Sequence, residues 1–252
     1  MRRARDDSKP FHMLTGAGCS LSAGIPLAKA LVNEIHEKYH NECRQKLEEE
    51  QLYEYGACMS CLTLNERRDL LSPHLDGAKI NWAHLAIACL IKAGYVTRVL
   101  TFNFDSVLAR ACGLVGLYPA TYDFAASASD VTSHLASPAI IHLHGQGFAH
   151  RLLNADSETA ENAINIRPLF RNTLSQHPFI VIGYSGVSDS VFPTIKDQYH
   201  GEERLYWAGH SETPSNSVLE FLNKGGNTAE YLGNSDADDF LINLARELEC
   251  FP

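Results

Sequence analysis

Residues 13–26 read MLTGAGCSLSAGIP, with three glycines, two serines and a proline behind a short apolar run. A strand that turns sharply into a helix while a phosphate lies against its backbone needs residues without a Cβ, and Gly16, Ala17 and Gly18 meet that demand. Ser20 and Ser22 are placed to cap the free N–H groups of the following helix, whose N-terminus is itself an anion site. Alone, the two glycines of GAG serve an ordinary turn as well as they serve a ligand. The rest of the chain has to decide between the two.

Working outward, Phe11 to Leu14 reads as a short buried strand. An amphipathic helix is predicted from about Ala23 to Tyr39, with Leu27, Leu31 and Ile35 on one face. From Asn41 to about Pro73 the chain is rich in Glu, Arg and Leu and poor in β-branched residues, so two or three helices and no strand are predicted. A further helix spans Asn81 to Ala93, with Gly94 placed to stop it. Together, 41–93 reads as a helical insertion on a sheet. Strands are predicted at Tyr95 to Phe102, Pro138 to Leu143, Phe179 to Ile182, Arg204 to Ala208 and, weakly, Ala229 to Leu232. Helices are predicted through Val107 and Leu108, from Asp189 to about Tyr199, from Ser215 to Lys224 and from Asp236 to Glu249. Strands alternating with helices imply a parallel sheet covered on both faces, an α/β doubly wound, Rossmann-like fold.

The totals fit one domain over residues 1–252, because a chain of this length buries roughly three quarters of its unfolded surface. A net charge of -9 argues against nucleic-acid binding, which needs clustered Lys and Arg. The seven cysteines, at 19, 43, 58, 61, 89, 112 and 250, are odd in number and scattered, as for reduced core thiols in a cytoplasmic protein. Cys58 and Cys61 form the one CxxC, and a zinc site would need a second pair, so no metal is expected. The N-terminus lacks a signal-peptide core and the longest apolar run, His84 to Val96, is broken by Lys92, so neither secretion nor a membrane span is expected.

In a doubly wound sheet the ligand crevice lies beyond the carboxyl ends of the strands. The glycine turn, Asn103-Phe104-Asp105, His144-Gly145 and Gly183 to Ser185 all fall there. Taken singly, Asn103 also reads as a turn residue or N-cap, and Asp105 as a first-turn carboxylate. Ser185 and Asp189 also read as a turn and a helix cap. Alternation along I-H-L-H-G puts His142 and His144 on one face, His142 as a core histidine and His144, beside a glycine, as a candidate acid/base.

In order and spacing, GAGCSLSAGIP at 16–26, TFNFD at 101–105, LHG at 143–145 and GYS at 183–185 resemble the sirtuin superfamily over nearly the whole chain outside the insertion. The resemblance implies that NAD is the bound substrate. Its phosphates would lie on Gly16, Ala17, Gly18 and Ser20, with Ile25 and Pro26 closing the same motif. Asn103 would stand by the nicotinamide ribose, and His144 would act as base on a ribose hydroxyl. Asp105 would hold the nicotinamide end, and Gly183 and Ser185 the adenosine side.

Protein-deacylating sirtuins carry a four-cysteine zinc module after the catalytic histidine, whereas no cysteine lies between Cys112 and Cys250 here. They also follow the first motif's proline with an aspartate, an aromatic and an arginine, where this chain has Leu27-Ala28-Lys29. The form GYSGVSD, ending in Asp189, and the strand LYWAG resemble bacterial sirtuin-like effectors of antiphage defence that hydrolyse NAD. The expected activity is therefore NAD glycohydrolysis to nicotinamide and ADP-ribose, gated by self-association or a partner sensor. The alternatives are an NAD-dependent deacylase and a non-enzymatic NAD or ADP-ribose module.

Overall fold

The computed structural model describes residues 1–126, 132–147, 153–186 and 191–251. Seven strands form its sheet: β1 Phe11–Thr15, β2 Val96–Thr101, β3 Ala120–Asp123, β4 Ala139–His142, β5 Phe179–Ile182, β6 Leu205–Ala208 and β7 Ala229–Leu232. Every pairing is parallel, in the order β3-β4-β2-β1-β5-β6-β7. The helices are α1 Arg2–Asp6, α2 Ala28–Lys46, α3 Tyr55–Ser60, α4 Leu64–Asp76, α5 Trp82–Lys92 and α6 Val107–Leu114, followed by α7 Asp156–Gln176, α8 Phe192–Gln198, α9 Asn216–Gly225 and α10 Ala237–Glu247.

A parallel sheet buries both faces, so alternate strand residues enter two different cores. Leu14, Leu100, Ile141, Val181 and Trp207 point into one, which α7, α8 and α9 cover with Phe170, Ile195 and Phe221. Met13, Val99, Ile140, Ile180 and Ala208 point into the other, covered by α5, α6 and α10 through Ile87, Ala111 and Leu241. This is the doubly wound architecture that the strand and helix alternation predicts.

Helices α2 to α4 share a third core of their own, which holds Ile35, Cys43, Cys58, Met59 and Leu70. Helix α5, although inside 41–93, packs on the sheet with α6 and α10 instead, because its apolar residues Ala83, Ile87 and Leu90 face Val96 and Val99. The separate core thus belongs to residues from α2 to α4.

The first helix differs from its expectation at both ends. Gly24 takes φ +94° and Pro26 follows, so no helix forms at Ala23; α2 starts at Ala28 and runs to Lys46 through a kink at Tyr39. Leu27 stands at its N-cap without a side-chain cap, so Ser20 and Ser22 do not cap it. The helix predicted from Asp189 begins at Phe192, and Asp189 itself lies outside the described residues. Strand β3 and helix α7 have no counterpart in the sequence reading. Among the described residues no helix is long and apolar enough to cross a membrane.

Candidate functional site

The chain leaves β1 for β2 on one side and β5 for β6 on the other, so the carboxyl ends of β1 and β5 border a crevice at the topological switch point. Two loops meet there. Gly16 N donates to Ile182 O at 3.0 Å and Gly18 N to Gly183 O at 2.9 Å. A Cβ built on Gly16 would stand 2.5 Å from Gly183 O, and one on Gly18 2.9 Å from Gly183 Cα. Gly183 has φ +67°, and a Cβ there would lie 2.6 Å from Cys19 N. The glycines are therefore demanded by each other, through loop-to-loop contact, whatever else approaches them.

Beyond Gly16 the chain makes a 3-10 turn, Ala17–Ser20, that brings Ser20 inward. Asn103 Nδ2 donates to Ser20 Oγ at 2.8 Å and to Gly16 O at 3.1 Å. Ser20 Oγ donates to Asp105 Oδ2 at 2.8 Å, and Asp105 Oδ1 accepts from Val107 N at 2.9 Å. Donor directions are fixed throughout. The carboxylate can only accept, so the hydroxyl gives it a proton and must accept from the amide. Both amide hydrogens of Asn103 are thereby committed, and its Oδ1 accepts none of the hydrogen bonds recorded among the described residues. Asp105 holds the inward relay and caps the start of α6 at once.

Ser22 sits in a second relay of the same composition. Asn81 Nδ2 donates to Ser22 Oγ and to Cys19 O, both at 2.7 Å, and Ser22 Oγ donates to Asp238 Oδ2. Asp238 Oδ1 accepts from Ala83 N at 2.8 Å, so the starts of α5 and α10 are both tied to the 16–22 loop. Asn81 Oδ1 accepts from the buried His84, and burial lowers the His84 pKa against the pull of Asp105 and Asp238. Asn81, His84 and Asp238 were invisible as site residues in the sequence, since an N-cap asparagine looks the same whether or not it holds a distant loop.

Strand β4 ends at His142, so the strand alternation that would align His142 with His144 stops short of His144. His142 is buried, and its Nδ1 donates to Asn103 O at 3.0 Å; burial lowers its pKa, with that bond and Asp105 opposing. It is a core histidine that also fixes the Asn103 backbone, a role the sequence reading did not give it. His144 is buried with its ring tilted on Phe102 at 4.8 Å, and Phe102 in turn meets Tyr184 at 4.8 Å. Tyr184 stacks on Trp207 at 5.8 Å. Gly145 has φ +100°, where a glycine is favoured, and Ser185 is exposed. Ile25 and Pro26 are half-buried on the turn between Ser22 and α2. Of the candidate residues, Gly16, Gly18, Ser20, Asn103, Asp105 and Gly183 are linked by hydrogen bonds and close contacts at the switch point, and His144 joins through Phe102 and Tyr184. Among the described residues, no group of three or more His, Cys, Asp or Glu side chains is arranged to hold a metal ion.

An open parallel sheet with polar loops converging at its switch point defines the doubly wound class of α/β fold, in which the ligand crevice lies at that point. No protein-family model and no curated protein matches the chain. Solved structures do. A Sir2 homologue in complex with NAD is similar over 98% of this chain and 92% of its own, at 17% identity and a TM-score of 0.55. A structure concerned with sirtuin substrate affinity is similar over 98% and 97%, at 18% identity and a TM-score of 0.56. A Sir2 protein bound to a propionylated peptide is similar over 99% and 97%, at 18% identity and a TM-score of 0.53. The chain has the Rossmann-like fold of these sirtuin structures.

Proposed function

We propose that the chain is an NAD glycohydrolase of the sirtuin superfamily, built as one domain with a helical insertion. The observation that carries this reading is the fixed relay Asn103–Ser20–Asp105 at the switch point, in a fold that a Sir2 homologue shares in its complex with NAD. Gly16, Ala17, Gly18 and Ser20 line the pyrophosphate, with Ile25 and Pro26 beside them. Asp105 serves the nicotinamide end and Gly183 and Ser185 the adenosine side. Asp189 is assigned with them from the sequence resemblance alone.

Cleavage breaks the bond between nicotinamide nitrogen and ribose C1′. The electron pair leaves with nicotinamide, and C1′ gains oxocarbenium character until a water oxygen bonds to it. Asn103 Oδ1, the acceptor left over by the relay, orients that water or a ribose hydroxyl. His144 takes the released proton. NAD and water thus give nicotinamide, ADP-ribose and a proton. A base nitrogen reaching C1′ before water would give a cyclic product.

An ungated NAD hydrolase would kill its own cell. The same reading therefore makes the protein a cytoplasmic antiphage-defence effector, switched on by self-association or by a sensor partner. The peptide-bound sirtuin structure favours one second reading, an NAD-dependent deacylase. Incubation with NAD, with and without an acetyl-lysine peptide, separates them. Nicotinamide release without peptide, lost in folded His144→Ala and Asn103→Ala variants, supports hydrolysis; release only with peptide supports deacylation. An NAD pool left intact under both conditions, in every assembly state, would leave a binding module.

A further inference from the structure

The relay fixes Asn103, but His144 is held by a different part of the chain. Its carbonyl accepts from Leu153 N at 2.9 Å, and the carbonyl of Leu143 accepts from Asn162 Nδ2 at 2.8 Å. Both donors belong to α7 and its lead-in, so the place of His144 follows the start of α7. That start is capped by Glu158, whose Oε2 accepts from Asn154 N at 3.3 Å and Ala155 N at 3.2 Å. Glu158 is in turn held from the insertion. Arg67 on α4 is buried, and its Nη1 donates to Glu158 Oε1 at 2.9 Å, to Glu158 Oε2 at 3.0 Å and to Asn154 Oδ1 at 3.2 Å. Its Nε donates to Leu62 O at 3.1 Å, which anchors the guanidinium to its own helical unit.

We propose that Arg67 is a positioning residue, through which the helical insertion sets the place of His144. A second contact runs the same way. Gly147 N donates to Phe104 O at 2.7 Å, and a Cβ on Gly147 would stand 2.8 Å from Leu75 Cδ1 of the insertion. The Phe104 side chain packs on the insertion core between the two motif residues Asn103 and Asp105. The insertion therefore touches both arms of the site, and a shift of α4 moves the cap of α7 with it. A mostly buried arginine supplying three hydrogen bonds to one helix start leaves that carboxylate poorly compensated when it is removed. A general base displaced by a fraction of an ångström loses rate more than affinity.

The kinetic part of this proposal rests on His144 acting in NAD cleavage; the structural part does not. The test uses the full chain with Arg67→Met, Arg67→Lys and Glu158→Gln. The expected result is a kcat for NAD lowered about tenfold to a hundredfold in Arg67→Met with KM within about twofold, and partial recovery in Arg67→Lys. The His144 imidazole resonances should shift, and the Leu153 amide should exchange about tenfold faster with solvent. Unchanged His144 resonances and unchanged Leu153 exchange in folded Arg67→Met would overturn the proposal. Should Arg67→Met fail to fold, Glu158→Gln decides by the same two readouts, because glutamine keeps an oxygen for the cap and loses the charge pair. If the wild type turns over no NAD in any assembly state, the functional reading fails, while the resonance and exchange measurements still decide whether Arg67 positions His144.

Discussion

Ser20 and Asp105, 85 positions apart in the chain, share a 2.8 Å hydrogen bond at the carboxyl edge of the sheet. Both are buried, so the bond lies where water competes poorly and its removal leaves a carboxylate oxygen and an amide hydrogen without their partner. Ser20→Ala is expected to lower unfolding stability by about 1–3 kcal/mol and, on the proposed activity, to lower NAD turnover, because Asn103 then keeps only its bond to Gly16 O. Ser22→Ala removes the equivalent bond at an exposed position and should be the milder change on both measures. Urea unfolding and nicotinamide release on the two variants check the order.

Gly183 and Gly24 both have positive φ, yet only Gly183 is crowded. At Gly24 nothing lies within 4 Å of an added Cβ, so Gly24→Ala should lose about 1–2 kcal/mol from backbone strain alone. At Gly183 the same change adds an overlap with the Cys19 backbone, and a loss of about 3 kcal/mol or more is expected. Equal melting-temperature shifts for the two variants would contradict the loop-to-loop contact.

Three buried histidines make stability fall in mild acid. Burial lowers the pKa of His12, His84 and His142 below the ordinary 6.5, with His177 and Arg98 adding to the effect at His12. The unfolded chain then binds more protons than the folded one below about pH 6.5. The stability these groups contribute is complete above that value and is lost as pH falls toward their folded pKa values. Each histidine contributes a slope of at most about 1.4 kcal/mol per pH unit. Urea midpoints at about pH 7.5 and about pH 5.5 should show the loss, and His12→Gln should flatten it.

The thiols should react in order of exposure. Cys19, Cys43, Cys58 and Cys112 are fully buried, and burial raises the pKa of each. Cys89 and Cys250 are only partly covered. Brief alkylation of the native protein followed by peptide mass spectrometry should find label on Cys89 and Cys250 before the other five.

The sheet was legible because apolar, β-branched runs such as YVTRVLTF and FIVI have few other readings in a chain of this kind. Strand β3, ATYD, escaped because an edge strand of four residues carries too little apolar signal. Helix α7 is different: Ala163, Ile166, Leu169, Phe170 and Leu174 do recur at helical spacing, under a surface of Asn, Glu and Arg and an internal Pro168. Its signal was present in the sequence. The candidate site was legible as motifs, but the partners of its serines were not. Ser20 and Ser22 read as helix caps because local spacing cannot show that Gly24 and Pro26 delay the helix, or that an aspartate far along the chain competes for each hydroxyl.

The glycine interlock bears on how anything enters the crevice. With Gly16, Gly18 and Gly183 in mutual backbone contact, the 16–18 and 183 loops have no room to slide past one another. A floor built this way is expected to keep its shape when a molecule binds. Discrimination at this end is then by rigid shape, and a molecule too thick for the gap is turned away rather than accommodated.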